Sequence, residues 1–233
     1  MNIALLLSGG TGTRLGSQIP KQYIEVNGKP VLAYSHNVLE ESSFIDGMIV
    51  VASEEWKDFI VEKCPSQKRI AFAKPGRNRQ ESIFHGLCVL QTYLQKEGKE
   101  PSECTVLIHD AARPYLTLQM IADYYEALQG YEGVLPVLPM KDTVYLSEDG
   151  ESVSKLLQRQ KVFAGQAPEI FKFEPYLQAN EALLPDKILQ INGSTEPAVL
   201  FNMKIRMVMG NEKNIKITTA VDLQRFCEEK GKR

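Results

Sequence analysis

The chain has 233 residues, 43% of them hydrophobic and 24% charged, which is the composition of an ordinary globular protein with one large core. We therefore expect a single domain over residues 1–233. The formal net charge of −2 supplies no general attraction to polyanions, so we expect no nucleic-acid partner, and any anion must be bound by local clusters of cations.

The first predicted element is a buried strand over residues 3–7, which leads into a glycine-containing loop with two cations. Glycines let backbone N–H groups approach a phosphate closely, and the N-terminus of an adjoining helix adds the positive end of its dipole. Arg14 and Lys21 add full charges. The candidate nucleotide-binding residues of this loop are Ser8, Gly9, Gly10, Gly12 and Thr13.

The spacing of this loop differs from three common phosphate loops. Its last glycine lies farther along than in the dinucleotide fingerprint, no G-K-[ST] follows as in a Walker loop, and no V-A-I-K strand follows as in a kinase. A loop that surrounds phosphates with N–H groups and two cations suits nucleotidyl transfer. The alternative is a structural turn, because connections between strands and helices generally favour glycine.

Short apolar runs alternate with longer helical patterns as far as Pro139. Helices are predicted over 31–41, 54–63, 80–95 and 118–128, and further strands over 47–52, 69–73, 105–109 and 133–139. This alternation is typical of β-α units, so we expect an α/β fold with a mainly parallel sheet. Ligands in such folds bind at the carboxyl ends of the strands.

A second cluster, residues 76–82, joins a predicted strand to a predicted helix with the sequence Gly-Arg-Asn-Arg-Gln-Glu-Ser. Its N–H groups and the Ser82 hydroxyl are suited to meet a base or ribose edge, which makes Gly76, Arg79 and Ser82 candidate nucleotide-binding residues. The alternative is a helix cap with solvated arginines. Both interpretations stay open at this point.

A third cluster, His-Asp-Ala-Ala-Arg-Pro at 109–114, follows an apolar strand directly. A carboxylate at the carboxyl end of a strand in a phosphate-binding fold is a natural ligand for Mg²⁺, so we predict that Asp110 binds the metal. Ala111 and Ala112 leave room for a base or sugar to lie against the chain. A lone histidine beside an apolar strand is more often a hydrogen-bonded core residue, and we assign His109 that role.

After Pro139 the pattern changes. Segments 143–146 and 152–156, joined by an acidic turn with a glycine, predict a projecting β-hairpin arm within residues 140–160. Such an arm has little core of its own and needs a neighbour, so we predict a homodimer. A helix over 172–183, a helix over 197–202, a strand over 204–208 and a closing helix from residue 219 complete the prediction.

A fourth cluster, Asn-Ile-Lys-Ile-Thr-Thr at 214–219, precedes the closing helix. Thr219 is a good N-cap with Asp222 in the capping-box position, so part of the cluster is structural. Lys216 is not required by that cap and is a candidate for contact with the phosphates.

The cysteines and the apolar segments exclude several other classes. The four cysteines lack C-x-x-C spacing, which argues against structural zinc and a disulfide framework. The apolar run after Met1 is too short for a membrane span and lacks the basic start and cleavage region of a secretion signal. We expect a cytoplasmic enzyme with no membrane partner.

Together and in this order, the four clusters resemble the CTP-dependent cytidylyltransferases of methylerythritol phosphate and ribitol phosphate, over almost the whole chain. The motifs that carry the resemblance are the glycine loop with P-K-Q, G-x-x-R-x-x-S, H-D-A-A-R-P and N-I-K-I-T-T. The resemblance implies a three-layer Rossmann-like nucleotidyltransferase. It also implies transfer of CMP from CTP to a polyol phosphate with release of pyrophosphate, a divalent cation such as Mg²⁺, and a place in isoprenoid biosynthesis or in making teichoic-acid or capsule precursors.

The resemblance also implies roles for individual residues. Arg14 and Lys21 would bind the triphosphate and stabilise the pentacoordinate α-phosphate. Gly76 and Ser82 would lie at cytidine, while Asp110 and Lys216 would lie at the metal and phosphates. The acceptor-binding candidates are Arg113, Arg159, which would come from the partner subunit, and Glu196.

The chain departs from this family in the half that binds the acceptor. Where Q-T-P-Q-x-F is common, it has Gln-Ala-Pro-Glu-Ile-Phe at 166–171, and a T-D-x-x-S segment is replaced by 193–197, in which Glu196 is the available carboxylate. These changes leave the acceptor open. A nucleotide-sugar glycosyltransferase, which usually carries D-x-D, a cytidylyltransferase for another phosphorylated small molecule, and a noncatalytic nucleotide-binding subunit are the alternatives.

Overall fold

The computed structural model describes residues 1–10 and 19–231. Three predicted site residues, Gly12, Thr13 and Arg14, lie outside the described residues. The strands are β1 (Asn2–Leu7), β2 (Glu25–Val26), β3 (Lys29–Pro30), β4 (Gly47–Val51), β5 (Arg69–Ala73), β6 (Thr105–Asp110), β7 (Gly133–Pro139), β8 (Tyr145–Leu146), β9 (Lys155–Leu156), β10 (Phe163–Gly165), β11 (Glu169–Lys172) and β12 (Ile205–Met209). The α-helices are α1 (Val31–Glu41), α2 (Lys57–Lys63), α3 (Arg79–Lys96), α4 (Leu118–Ala127), α5 (Phe173–Glu181), α6 (Glu196–Leu200) and α7 (Ala220–Gly231).

The main sheet has eight strands in the order β10-β7-β11-β6-β1-β4-β5, with β12 paired to β7. β1 is parallel to both β4 and β6, and β4 is parallel to β5. Because β1 has a neighbour on each edge and helices on both faces, its run of apolar residues is buried. The predicted α/β fold with a mainly parallel sheet is therefore confirmed.

Alternate residues of the central strands face opposite layers of helices. Ala4 and Leu6 pack in one core cluster with residues of α1 and α4, whereas Ile3 and Leu5 pack in a second cluster with residues of α3 and α5. This alternation follows from the period of two in a β-strand. The sheet thus lies between two helical layers, as the three-layer prediction requires.

Four short strands, β2, β3, β10 and β11, were not predicted. β11 inserts between β6 and β7 and is antiparallel to both, so it forms part of the centre of the sheet. Its three buried residues, Glu169, Ile170 and Phe171, are too few to show a periodic pattern, and one of them is charged. The predicted helix over 172–183 begins one residue later, at Phe173, because Lys172 ends β11.

The predicted hairpin is present but shorter than expected. Tyr145 pairs with Leu156 and Leu146 with Lys155, and the Asp149 side chain accepts hydrogen bonds from the N–H groups of Glu151 and Ser152 at 2.9 and 2.8 Å. Its apolar side chains are exposed. Its role in dimerisation stays a prediction.

The N-terminus of α7 carries the predicted capping box. The Asp222 carboxylate accepts from the Thr219 N–H at 2.8 Å, and the Thr219 hydroxyl accepts from the Asp222 N–H at 3.2 Å. All four cysteines are free thiols. Within the two described ranges, no helix has the length and apolar character needed to cross a membrane.

Close packing of α3 on β1 generates a test of the core. A Cβ added to Gly86 would lie 2.3 Å from Leu5 Cδ1, a buried side chain. Gly86→Ala gains ~1 kcal/mol of helix propensity but overpacks the core at a cost of ~1–3 kcal/mol. We therefore expect a net loss of unfolding free energy, measured by urea denaturation. The matched control is Gly193→Ala, whose added Cβ meets nothing within 4 Å, and equal stability of the two variants would contradict this packing.

Candidate active site

The described residues form a cavity of about 410 Å³ where β1 and β6 end and α3 begins. This position at the carboxyl ends of parallel strands is the expected one for a ligand in an α/β sheet. The predicted site residues that line the cavity are Gly9, Gly10, Lys21, Gly76, Arg79, Ser82, Asp110 and Lys216.

The start of the glycine loop is held by the segment that follows it. The Gln22 amide donates to the carbonyl oxygens of Ser8 and Gly10 at 2.5 and 2.7 Å, and the Tyr23 hydroxyl donates to the Ser8 carbonyl at 2.9 Å. Gly9 is required because a Cβ there would lie 2.5 Å from Pro75 Cβ. The P-K-Q segment therefore combines a cavity-lining cation, Lys21, with an anchor for the loop.

The second cluster combines capping with exposure to the cavity. Asn78 is the N-cap of α3, since its side chain accepts from the Glu81 N–H at 2.8 Å. Ser82 Oγ accepts from the Gly76 N–H at 2.9 Å and donates to the Asn78 carbonyl at 2.8 Å. The capping interpretation is thus correct for Asn78. The expectation of solvated arginines is wrong for Arg79, which is paired with a buried carboxylate.

Asp110 is the centre of the site's charge network. Its Oδ1 accepts from Arg79 Nε at 2.9 Å, and its Oδ2 lies 2.9 Å from Lys216 Nζ and 3.7 Å from Arg113 Nε. Burial alone would raise the pKa of this carboxyl, but the charges of Arg79, Lys216 and Arg113 together hold the pKa well below its usual range. Asp110 is therefore an ionised carboxylate facing the cavity.

Lys216 reaches Asp110 because its neighbour Ile217 is fixed. The Ile217 N–H donates to the Ala112 carbonyl at 2.9 Å, and its side chain is buried in a small core with Phe226 of α7. This contact brings residues a hundred positions apart into one site, which sequence spacing alone does not reveal.

His109 is a buried core residue, as predicted. Its Nε2 lies 3.0 Å from the Arg113 carbonyl oxygen. Burial, only partly opposed by that hydrogen bond, lowers the pKa of His109 to about 4, so the imidazole is neutral at pH 7.

Glu169 is a residue of the site that the sequence analysis missed. Its carboxylate is buried, with Oε2 3.7 Å from Arg79 Nη2 and Oε1 accepting from the Ser194 hydroxyl. Burial raises its pKa, an effect opposed by Arg79 and by the Ser194 hydrogen bond. The signal in the sequence was an acidic residue immediately before a short apolar run, where a buried strand would ordinarily begin with a neutral residue.

Several predicted site residues lie away from the cavity lining. Ala111 does not line the cavity, because its side chain is fully buried in the core, and Ala112 is the lining residue. The Ser8 hydroxyl is buried and donates to the Val51 carbonyl at 2.8 Å. Contact of Ala111 and Ser8 with a nucleotide would therefore be made by their backbone atoms, and their role in binding stays a prediction.

The three acceptor-side candidates are also outside the lining. Arg113 lies behind Asp110 and donates to the Asn214 carbonyl at 2.8 Å. Arg159 is exposed and donates to the Lys141 carbonyl at 2.6 Å, at the base of the hairpin. Glu196 accepts from the Asn192 N–H at 2.8 Å and so organises its own loop. Their contact with an acceptor stays a prediction.

Asp110 fits a metal only together with ligands from a substrate. Among residues 1–10 and 19–231 no group of three or more His, Cys, Asp or Glu side chains is arranged to hold an ion. Mg²⁺ is commonly bound by one or two carboxylates with substrate phosphates and waters. An ionised Asp110 at the cavity, beside cations that would also attract phosphates, satisfies the protein's share of such a site.

The mainly parallel sheet and the cation-lined cavity at its strand ends are those of an α/β nucleotide-binding protein. The chain belongs to the family described as IspD, 2-C-methyl-D-erythritol 4-phosphate cytidylyltransferase, which it matches over residues 2–227. The resemblance found in the four motifs is therefore confirmed.

Individual relatives carry two names. The chain is 31% identical over 232 residues to the 2-C-methyl-D-erythritol 4-phosphate cytidylyltransferase of Caldanaerobacter subterraneus, with 96% of each chain covered. It is also 31% identical over 227 residues to the ribitol-5-phosphate cytidylyltransferase of Vibrio parahaemolyticus, covering 95% of this chain and 92% of the relative. The crystal structure of 4-diphosphocytidyl-2C-methyl-D-erythritol synthase from Anaerococcus prevotii superposes with a TM-score of 0.80 at 26% identity, covering 100% of this chain and 96% of that one.

The charge network predicts a pH-dependent stability. Asp110 has a lower pKa in the folded than in the unfolded chain, so its contribution is present above the unfolded pKa and is lost as pH falls below about 5. Asp110→Asn leaves three cations without this partner, and we expect its melting temperature at pH 7 to be lower by roughly 4 °C or more. Thermal unfolding followed by circular dichroism should show this gap unchanged from pH 7 to about pH 5 and narrowing progressively from about pH 5 down to pH 3. A gap that is constant over that range would contradict the assignment.

Proposed function

We propose that the chain transfers CMP from CTP to a polyol phosphate and releases pyrophosphate. The observation that carries this proposal is the ionised Asp110 in a cavity also lined by Lys21, Lys216 and the glycine loop. Family membership supports the choice of CTP. The mixture of full cations with backbone N–H groups matches the needs of a triphosphate.

The reaction needs no general base. An oxygen of the acceptor phosphate is already an anion and attacks the α-phosphorus of CTP. A new P–O bond forms, the bond to the bridging oxygen of the β-phosphate breaks, and pyrophosphate takes that electron pair. The barrier lies in bringing two polyanions together, so catalysis consists of positioning and charge neutralisation.

Several residues that line the cavity have a place in that scheme. Lys21 and Lys216 would neutralise the triphosphate, Gly9 and Gly10 would let the backbone approach it, and Gly76 would lie at cytidine. Arg14, outside the described residues, would add a further charge at the α-phosphate. Asp110 would hold Mg²⁺, which supplies neutralisation of the phosphate oxygens when bound.

The acceptor we propose is 2-C-methyl-D-erythritol 4-phosphate or D-ribitol 5-phosphate, the substrates named for its relatives. The first would place the enzyme in isoprenoid biosynthesis and the second in the supply of teichoic-acid or capsule precursors.

Ala167 stands at the position of the family's threonine. Its side chain is buried, and its carbonyl accepts a hydrogen bond from Asn214 Nδ2 at 2.6 Å. A hydroxyl contact to the acceptor is thus lost from that position. The cytoplasm, where CTP is available, is the proposed location.

We also propose a homodimer formed through the hairpin arm. Tyr145, Leu146, Val153 and Leu156 expose apolar side chains there, and a two-stranded hairpin is marginal without a neighbour. Arg159 follows the arm, so dimerisation would carry its guanidinium toward the acceptor site of the other subunit.

The decisive experiment incubates the purified protein and Mg²⁺ with CTP and each polyol phosphate in turn, measuring pyrophosphate and the cytidine diphosphate product. ATP, GTP and UTP are tested in parallel. We expect product with CTP and one of the two named acceptors. Failure with every combination would refute the enzymatic proposal.

The role of Lys21 predicts a large kinetic effect. Lys21→Ala removes a preorganised charge from the triphosphate, and we expect kcat to fall about a hundredfold or more. The matched control is Lys96→Ala, since Lys96 is exposed at the far end of α3. Near-normal turnover of the Lys21 variant would remove this residue from the mechanism.

The contribution of Arg159 across a dimer predicts complementation between two defective variants. Arg159→Ala and Lys21→Ala homodimers should each be weak, whereas a mixed dimer keeps one site in which both residues are intact. After mixing and re-equilibration, activity should recover to about a quarter of the wild-type value. Light scattering measures the mass of each species, and a monomer at micromolar concentration or a lack of recovery would contradict the proposal.

A further inference from the structure

Glu169 is a buried carboxylate beside the cavity to which the proposed reaction assigns no role. It is the first residue of β11, and it lies opposite Ile108 on β6, two residues before Asp110. Glu169 is 7% exposed, and its side chain therefore lies within the sheet's carboxyl edge rather than in solvent. A buried charge is costly unless its oxygens are paired, so its partners indicate its role.

The two carboxylate oxygens of Glu169 contact different parts of the molecule. Oε1 accepts from the Ser194 hydroxyl, with Thr195 Oγ1 at 3.5 Å. Oε2 makes no hydrogen bond, and its charged neighbour is Arg79, whose Nη2 lies 3.7 Å away. One carboxylate thus joins the loop preceding α6 to the first residue of α3.

The Ser194 end of this connection is itself fixed. The Tyr176 hydroxyl donates to the Ser194 carbonyl at 2.6 Å, and Gln80 Nε2 lies 3.1 Å from the same Tyr176 hydroxyl. Ser194 is 1% exposed. Because Ser194 is held at its carbonyl as well as at its hydroxyl, Glu169 Oε1 is bound to a rigid partner.

At its other end, Arg79 is shared between two carboxylates. Its Nε donates to Asp110 Oδ1 at 2.9 Å, while its Nη2 forms an ion pair with Glu169 Oε2 at 3.7 Å. The guanidinium is planar, so holding one edge restricts the direction of the other. Because Asp110 Oδ1 is hydrogen-bonded to Arg79, Oδ2 is the oxygen that pairs with Lys216.

We propose that Glu169 is a positioning residue: by holding Arg79, it fixes the Asp110 carboxylate with Oδ2 directed to the cavity. Its effect on catalysis rests on the proposed function, whereas its hold on Arg79 does not.

Glu169→Gln should leave CTP binding intact while it lowers kcat. Three cations, Arg79, Arg113 and Lys216, surround the two carboxylates, so Glu169→Gln makes the cavity more positive and should not weaken the binding of CTP. Release of Arg79 should nevertheless misplace Asp110. A misplacement of about 1 Å can lower a rate by about a hundredfold, and we expect kcat to fall about tenfold or more.

The kinetic test compares wild type, Glu169→Gln and Glu174→Gln at pH 8, well above the usual pKa of a glutamate. Glu174 is an exposed residue of α5 and serves as the control for loss of one negative charge. CTP affinity is measured by calorimetry in Mg²⁺, and kcat with the acceptor found active. Unchanged kcat would overturn the proposal. The proposal would also be overturned if the CTP affinity fell in proportion to kcat and the melting temperature were lowered. That result would assign Glu169 to structural support alone.

A second readout does not depend on activity. The Arg79 Nε–Hε group, hydrogen-bonded to Asp110, should give a protected cross-peak in a ¹H–¹⁵N spectrum, assigned by its loss in Arg79→Lys. We expect the peak to broaden or disappear in Glu169→Gln and to persist in Glu174→Gln. Its persistence in Glu169→Gln would overturn the proposal. If wild type shows the peak but transfers CMP to no acceptor, the proposed function fails while the hold of Glu169 on Arg79 stands.

Discussion

The rest of the site depends on one buried carboxylate and the cations that keep it ionised. Asp110 is 7% exposed, a location in which a lone charge is unfavourable, yet Arg79 and Lys216 each lie 2.9 Å from it. Arg79 is the first residue of α3, whereas Lys216 lies in the segment before α7, which is distant from α3 in sequence. The electrostatic requirement of Asp110 therefore draws three parts of the chain to the end of β6, and the cavity forms between them.

The same arrangement explains how a protein with a net negative charge binds a polyanion. The cations at the cavity are partly neutralised by Asp110 and Glu169 before any ligand arrives, which lets them be held close together without strong repulsion. In the proposed reaction, an incoming triphosphate would give these cations new anionic partners in place of the carboxylates. The site is thus prepared for exchange of ionic partners, and its positive charge is confined to the place where it is used.

Strong local patterns made much of this predictable. β1 appears as expected because a strand buried on both faces is a continuous apolar run, and α1 because its buried face repeats with the helical period. Lys21 was identified because it is a cation that follows the glycine loop, and Lys216 because the cap of α7 does not require it. β11 was missed because four residues carry no period, and the pairing of Arg79 with Asp110 was missed because the two residues are neighbours only in the folded chain. Glu169 was missed for both reasons, since it begins the unpredicted strand and its partners come from α3 and from the loop before α6.

The docking of α7 has a consequence for any study of the isolated enzyme. Phe226 packs edge-on against Tyr34 and Tyr115 and shares a small core with Ile217, the neighbour of Lys216. The placement of a cavity-lining lysine is therefore linked to a helix whose outer surface faces solvent. Substitutions that loosen this helix would lower the reaction rate by displacing Lys216, although every reacting group would still be present. Kinetic defects that map to the terminal helix should be understood as displaced charge rather than as evidence of a second site.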